Sequence, residues 1–215
     1  MFQRDYVLRM IEMMGDLMRK LKELLDQHAQ MRLLDEACRR HCGIPLETLQ
    51  RLSAESLMEL LAPMPRFFAS ELLRVEALAV GMPAEEEEAQ RLMSARLLAS
   101  LWEEGQVCEL RALQLAQMKA QLLPKLTAKD LMNCAAFFFQ GGLYDEMEDA
   151  IFQAFDISNS AERKCYGERG SSLLLFAAQA QAMEARPIQP SSQELRDAAQ
   201  ELAQKIDVAD KEVHP

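Results

Sequence analysis

The chain has 215 residues, 49% of them apolar, and carries a formal charge of -10. That length buries roughly 70% of the unfolded surface, enough for one large core or two small ones. The acidic balance repels a nucleic-acid backbone or an anionic bilayer unless a local basic patch overrides it, and the sequence has none that stands out.

Leu, Met and Ala supply most of the apolar residues. They lose little rotamer freedom in a helix, while the β-branched residues that favour sheets are few, so the composition predicts an all-α protein. Cys38, Cys42, Cys108, Cys134 and Cys165 form an odd, scattered set. This is the usage expected of free thiols in the reducing cytoplasm, not of a disulfide framework.

The chain opens MFQRDYVLRMIEMMGDLMRKLKELL. Phe2, Tyr6, Met10, Met13, Leu17, Leu21 and Leu24 recur every three or four residues, and Val7, Met14, Met18 and Leu25 widen the stripe. The spacing predicts one helix of about 25 residues with an apolar face broader than a single neighbour needs, which raises pairing with a second copy as an expectation. Charges interrupt the stretch well before the roughly 18 apolar residues of a membrane span, and the layout of a secretory signal is missing.

Leu33, Leu34, Ala37, Cys38 and Cys42 mark the next helix, stopped by Gly43. PLETLQRL is a short helix with Pro45 near its first turn, Ser53 caps LMELL, and Pro63 and Pro65 break the pattern before a helix over 66–80 that ends around Gly81. Pro83 and four glutamates mark the start of a helix running to about 104, where Gly105 turns the chain into an antiparallel partner over 107–123. Those glutamates form a solvated first turn, since consecutive helical positions do not converge on a metal.

Thr127 and Asp130 have the spacing of a capping box that opens the helix containing Phe137, Phe138 and Phe139. Gly141 and Gly142 turn it back along a second helix over 143–155, with Phe138, Met147, Ile151 and Phe155 available for the seam. Residues 158–172 are polar with two glycines and are expected to be a loop or frayed helix before an apolar helix ended by Pro187 and Pro190. Ser191 and Glu194 repeat the capping-box spacing ahead of a charged final helix and a loose tail. The expected organisation is one all-α domain over 1–186, followed by a helix and tail over 187–215.

Ala135, Phe138, Gly142, the run Tyr144, Asp145 and Glu146, and Ala154 resemble a tetratricopeptide repeat over residues 131–159. Met147 stands where that family places alanine. Gly105 lies 37 residues before Gly142 and anchors a weaker second unit over 94–123, in which Leu98, Val107 and Leu110 depart from the pattern. Phe2, Arg4, Asp5, Tyr6, Leu8, Arg9, Met10, Ile11 and Glu12, with the leucine-rich stretch over 43–61, are similar to an uncharacterised family of bacterial α-helical proteins. Together the resemblances imply an α-α superhelix of antiparallel hairpins behind a long N-terminal helix, and they bring no catalytic residue.

The metal candidate is CRRHC. Cys38 and Cys42 are one turn apart, but His41 is rotated about 100° from Cys42, and His28 joins them only if the chain bends back. Core thiols and a surface histidine are therefore expected, with no cofactor. No phosphate-cradling loop, zinc-protease helix or nucleophile constellation is present in the sequence, and GERGSS lacks the strand that a nucleotide loop needs. Arg163, Lys164 and Arg169 make a small basic cluster in a polar linker, and Trp102 and Phe137 to Phe139 are expected in the core. The functional expectation is a cytoplasmic, non-enzymatic scaffold or adaptor for a protein or peptide, with no nucleic acid and no membrane span. The alternative is an enzyme or small-ligand module whose pocket is assembled from separated helices; convergent polar groups in a deep pocket would favour it.

Overall fold

The computed structural model describes residues 2–24, 26–79, 81–104, 107–183 and 189–213, with the side chains of these except 2–8, 79 and 209–213. Gly105, Pro187, His214 and Leu25, and the side chains of Phe2, Tyr6 and Val7, lie outside that description. All regular structure among the described residues is helical: eleven α-helices and two 3-10 turns. The helices divide between two compact units, residues 1–106 and 107–215.

The first unit contains α1 (Phe2–Glu23), α2 (Gln27–Cys42), α3 (Leu46–Arg51), α4 (Ala54–Leu60), α5 (Pro63–Ala79), α6 (Ala84–Ala99) and a 3-10 turn, Ser100–Glu104. Helix α5 is its axis. Phe67, Phe68, Leu72, Leu73 and Val75 are all buried, as expected of a helix covered on several sides. Pro63 and Pro65 do not interrupt this helix. They lie in its first turn, where the amides have no intrahelical partner to lose.

Helix α6 returns antiparallel along α5. The crossing is close because Ser70 and Ser94 meet there: each hydroxyl donates to the other residue's carbonyl, at 3.1 Å from Ser70 and 2.8 Å from Ser94. Arg66, buried at the start of α5, donates to the carbonyls of Met58 and Leu61 at 2.8 and 3.2 Å and so closes the C-terminus of α4. Ser53 caps the other end of that helix.

The second unit contains α7 (Glu109–Leu122), a 3-10 turn (Leu123–Lys125), α8 (Ala128–Gly141), α9 (Tyr144–Ile157), α10 (Ser160–Ala182) and α11 (Ser192–Val213). Both halves of the Thr127–Asp130 capping box form, and Gly142 turns α8 into α9 with φ of 75°, a conformation in which a Cβ is strained. Phe137, Phe138, Met147, Ile151 and Ala154 close the seam. FFFQGGLYDEMEDAIFQAF is thus the hinge of a packed hairpin. Lys119 of α7, itself buried, reaches Glu146 at 2.7 Å beside the Phe138 ring and fastens α7 to it.

Two expectations are corrected here. Residues 158–172 are not a loop: α10 is continuous through Gly167 and Gly170. A Cβ on Gly170 would come within 2.5 Å of the Ile151 γ-methyl and 3.0 Å of Leu202, so its glycine is a point of close helix approach and not a break. The weaker repeat over 94–123 is divided between the two units; α6 has α5 as its hairpin partner, and α7 packs on α8.

Candidate functional site

Helices α1 and α2 are consecutive in sequence, yet both pack on α5 and hardly touch each other. Their corner is fixed by Gln30, whose amide donates to the carbonyls of Leu21 and Leu24 at 3.1 and 2.9 Å and caps α1. Beyond that corner each helix spends one stripe on the core. In α1 it is Met10, Met14, Leu17 and Leu21; in α2 it is Leu34, Cys38 and Cys42. Each then carries a second stripe, Met13, Asp16 and Lys20 on α1 and Leu33, Ala37, Arg40 and His41 on α2, that does not meet its counterpart.

The gap is a trough of about 680 Å³. The His41 ring forms much of its floor, stacked on the buried Phe68 of α5 with centroids 4.3 Å apart and planes 30° from parallel. Burial, followed by the charge of Arg40, lowers the pKa of His41, so the ring is neutral near pH 7 and adds to the apolar floor. Positions 13, 16, 17 and 20 on one wall and 33, 36, 37, 40 and 41 on the other follow helical spacing over two turns, giving a channel roughly 10–12 Å long.

Charges occupy the rim. Asp16 pairs with Arg19, and Arg39 with Asp35, each at 2.7 Å. Asp35 also accepts from the amide of Leu46 at 2.9 Å; Arg39 and this amide hold its carboxyl below the usual carboxylate range. Lys20 and Arg40 have no ion-pair partner among the described residues. A second depression, of about 730 Å³ between α2 and α3, shares Glu36 and Arg39 with the first, which places those two side chains on the ridge between them.

The residues of CRRHC point in different directions. Cys38 and Cys42 are buried in the core; the hydrogen bond between their thiols, and then burial, push the Cys42 thiol up, and its Sγ also contacts the Pro65 carbonyl at 3.6 Å. His41 faces the trough and His28 lines the second depression. No group of three or more His, Cys, Asp or Glu among the described residues has the geometry of a metal site. Cys134 is likewise a core thiol, pushed up to about 12 by burial.

Glu76 of α5 is 1% exposed, accepts from the Gln50 amide on α3, and has a second oxygen with no partner. Burial raises its pKa to about 7. It is sealed within the first unit and lines neither depression. Elsewhere, Arg163 donates to the Ser158 carbonyl at 3.2 Å and lies over the Phe155 ring, which removes it from the expected basic cluster. Phe137 and Phe138 are core residues, while Phe139 and Trp102 are half-buried.

The trough residues were missed as a group because they belong to three elements. A signal was nonetheless present: Leu33, Ala37 and His41 form a stripe beside Leu34, Cys38 and Cys42, twice the width that docking on α5 requires. No helix among the described residues is long and apolar enough to cross a membrane. No family model matches the chain, and neither the curated proteins nor the solved structures contain a significant match.

Proposed function

We propose that this chain is a non-enzymatic helical adaptor and that the trough between α1 and α2 receives a helical segment of a partner protein. The observation that carries the reading is the pair of unmatched stripes: two helical walls stand apart over an aromatic floor, leaving for a third helix the place that α6 takes on α5. The polar groups of the trough sit on its rim instead of converging in its depth, which favours docking over chemistry. Glu76, whose titration near neutrality would suit a proton-transfer role, is closed to any substrate.

The tetratricopeptide-like reading belongs to the same proposal. Helices α8 to α11 pack as two hairpins in succession, and α10 touches both α8 and α9, the neighbour pattern of stacked repeats. The five unpaired cysteines support a reducing cytoplasm as the place of action. Self-association through the N-terminal helix has less apolar surface available than the sequence implies, because Met10, Met14, Leu17 and Leu21 are buried within the chain; light scattering at about 100 μM measures it.

The test is Ala37→Trp, which fills the trough from a half-buried wall position. Quantitative mass spectrometry should recover one or more proteins with the wild-type chain from its native cell and lose them with this variant, but not with Gln193→Trp on the exposed side of α11. An unchanged set of captured proteins would contradict the reading.

A further inference from the structure

The rim identifies the chemistry of the partner. Along the trough the carboxylate of Asp16 is already satisfied by Arg19, and Arg39 is engaged by Asp35. What remains is Lys20 on one wall and Arg40 on the other, with Glu36 set on the outer ridge that the two depressions share. In a chain of charge -10, this leaves a channel with a half-buried apolar lining and, on each side, a cation that has no ion-pair partner among the described residues. Both residues line the trough and both are exposed, which leaves their charged heads accessible to an incoming anion.

From this arrangement we infer that the partner helix is acidic and amphipathic: an apolar stripe seated on Met13, Leu33, Ala37 and the His41 ring, flanked on both sides by carboxylates that meet Lys20 and Arg40. The inference rests on the docking role proposed above. The length of the lining sets the size of the contact at about two helical turns, so three or four apolar anchors at i, i+3, i+4 and i+7 fill it. Exposed ion pairs of this kind add modestly to affinity and more to discrimination, because a like charge placed opposite either cation repels it.

The probes are two 18-residue amphipathic helical peptides with identical leucine stripes, one flanked by glutamates and one by lysines, each labelled for fluorescence anisotropy. They are titrated to about 500 μM against the full chain, the Lys20→Glu/Arg40→Glu double variant and Ala37→Trp. Both charged positions are exposed, so the double variant should keep the wild-type helicity and melting temperature. The glutamate peptide should bind the wild-type chain at least about tenfold more tightly than the lysine peptide, the preference should reverse in the double variant, and raising the salt from about 50 to 300 mM should weaken both. Ala37→Trp should bind neither peptide. Equal binding of the two peptides that Ala37→Trp abolishes would overturn the charge inference and leave the docking site standing. Absence of binding to the wild-type chain, or binding that survives Ala37→Trp, would overturn both.

Discussion

Helices α1 and α2 and helices α10 and α11 are each consecutive in sequence, yet the second pair closes and the first stays open. On α10, Gly167 and Gly170 stand where side chains of both α11 and α9 come in. An added Cβ would lie 2.5 Å from Ile206 of α11 at Gly167, and 3.0 Å from Leu202 of α11 and 2.5 Å from Ile151 of α9 at Gly170. Ala177 and Ala178 of α10 and Ala198 and Ala199 of α11 are buried as well. Between α1 and α2 the facing positions are Met13, Lys20, Leu33 and Arg40, whose bulk and charge keep the backbones apart. Small residues turn a helix pair into core, and long ones leave a surface. The same rule separates the structural part of this molecule from the part proposed to bind.

The closed pair should be the more fragile to added volume. Gly170→Val drives a branched side chain into Leu202 of α11 and, more closely, into the Ile151 γ-methyl of α9, which cannot swing away because the χ1 of a β-branched residue is stiff in a helix. A loss of about 3 kcal/mol is expected in denaturant melts. Gly167→Ala sharpens the comparison: its smaller methyl meets Cδ1 and Cγ1 of Ile206 at 2.5 and 2.6 Å, of which only Cδ1 can turn aside without the stiff χ1, and the gain in helix propensity of about 1 kcal/mol offsets part of the crowding. A smaller loss of about 1–2 kcal/mol is expected there, and an unchanged melt for Gly170→Val would mean that close approach is not what that glycine provides.

The axis beneath the open pair carries a pH-dependent cost. Glu76 has a folded-state pKa near 7, above its ordinary value of 4.5. Its contribution is therefore fully present below about pH 4.5 and is lost as pH rises through 7. The shift corresponds to a decline on the order of 3 kcal/mol across that window. Glu76→Gln keeps the shape and removes the titration, so it should gain on wild type as pH rises from 5 to 8. Parallel stability curves for the two proteins would show that the carboxyl is not sealed.

Two smaller effects concern the turns that set each pair. Gly142 has φ of 75°, and Gly142→Val should cost about 1–2 kcal/mol, because a β-branched residue is strained in the left-handed region. Gln30→Ala removes the cap on the carbonyls of Leu21 and Leu24 and should cost about 1 kcal/mol. Hydrogen exchange should accelerate in the last turn of α1 and not in α10. A uniform acceleration would detach Gln30 from the geometry of the trough.

Much of the fold was legible wherever a local rule decides it. Gly43 and Gly142 take the positive φ that a helix stop requires, and Ser53, Thr127 with Asp130, and Ser191 with Glu194 form the caps their spacing indicates. The failures are the places where tertiary contacts override propensity. Gly167 and Gly170 resemble breakers until Ile206, Leu202 and Ile151 are seen against them, and Asn159, whose side chain accepts from the amides of Ala161 and Glu162, is an N-cap that the loop reading of 158–172 passed over. The trough was illegible because a sequence shows how wide an apolar face is, and only packing shows which part of it the core consumes.

A photo-reactive phenylalanine derivative placed at Met13, on the wall of the trough, examines the binding role directly when the full chain is irradiated in its native cell. A discrete covalent adduct with another protein should form from position 13, none should form from the exposed position 193 on α11, and the adduct should disappear when Ala37→Trp is added. No adduct from position 13, or the same adducts from both positions, would contradict the trough as the binding surface.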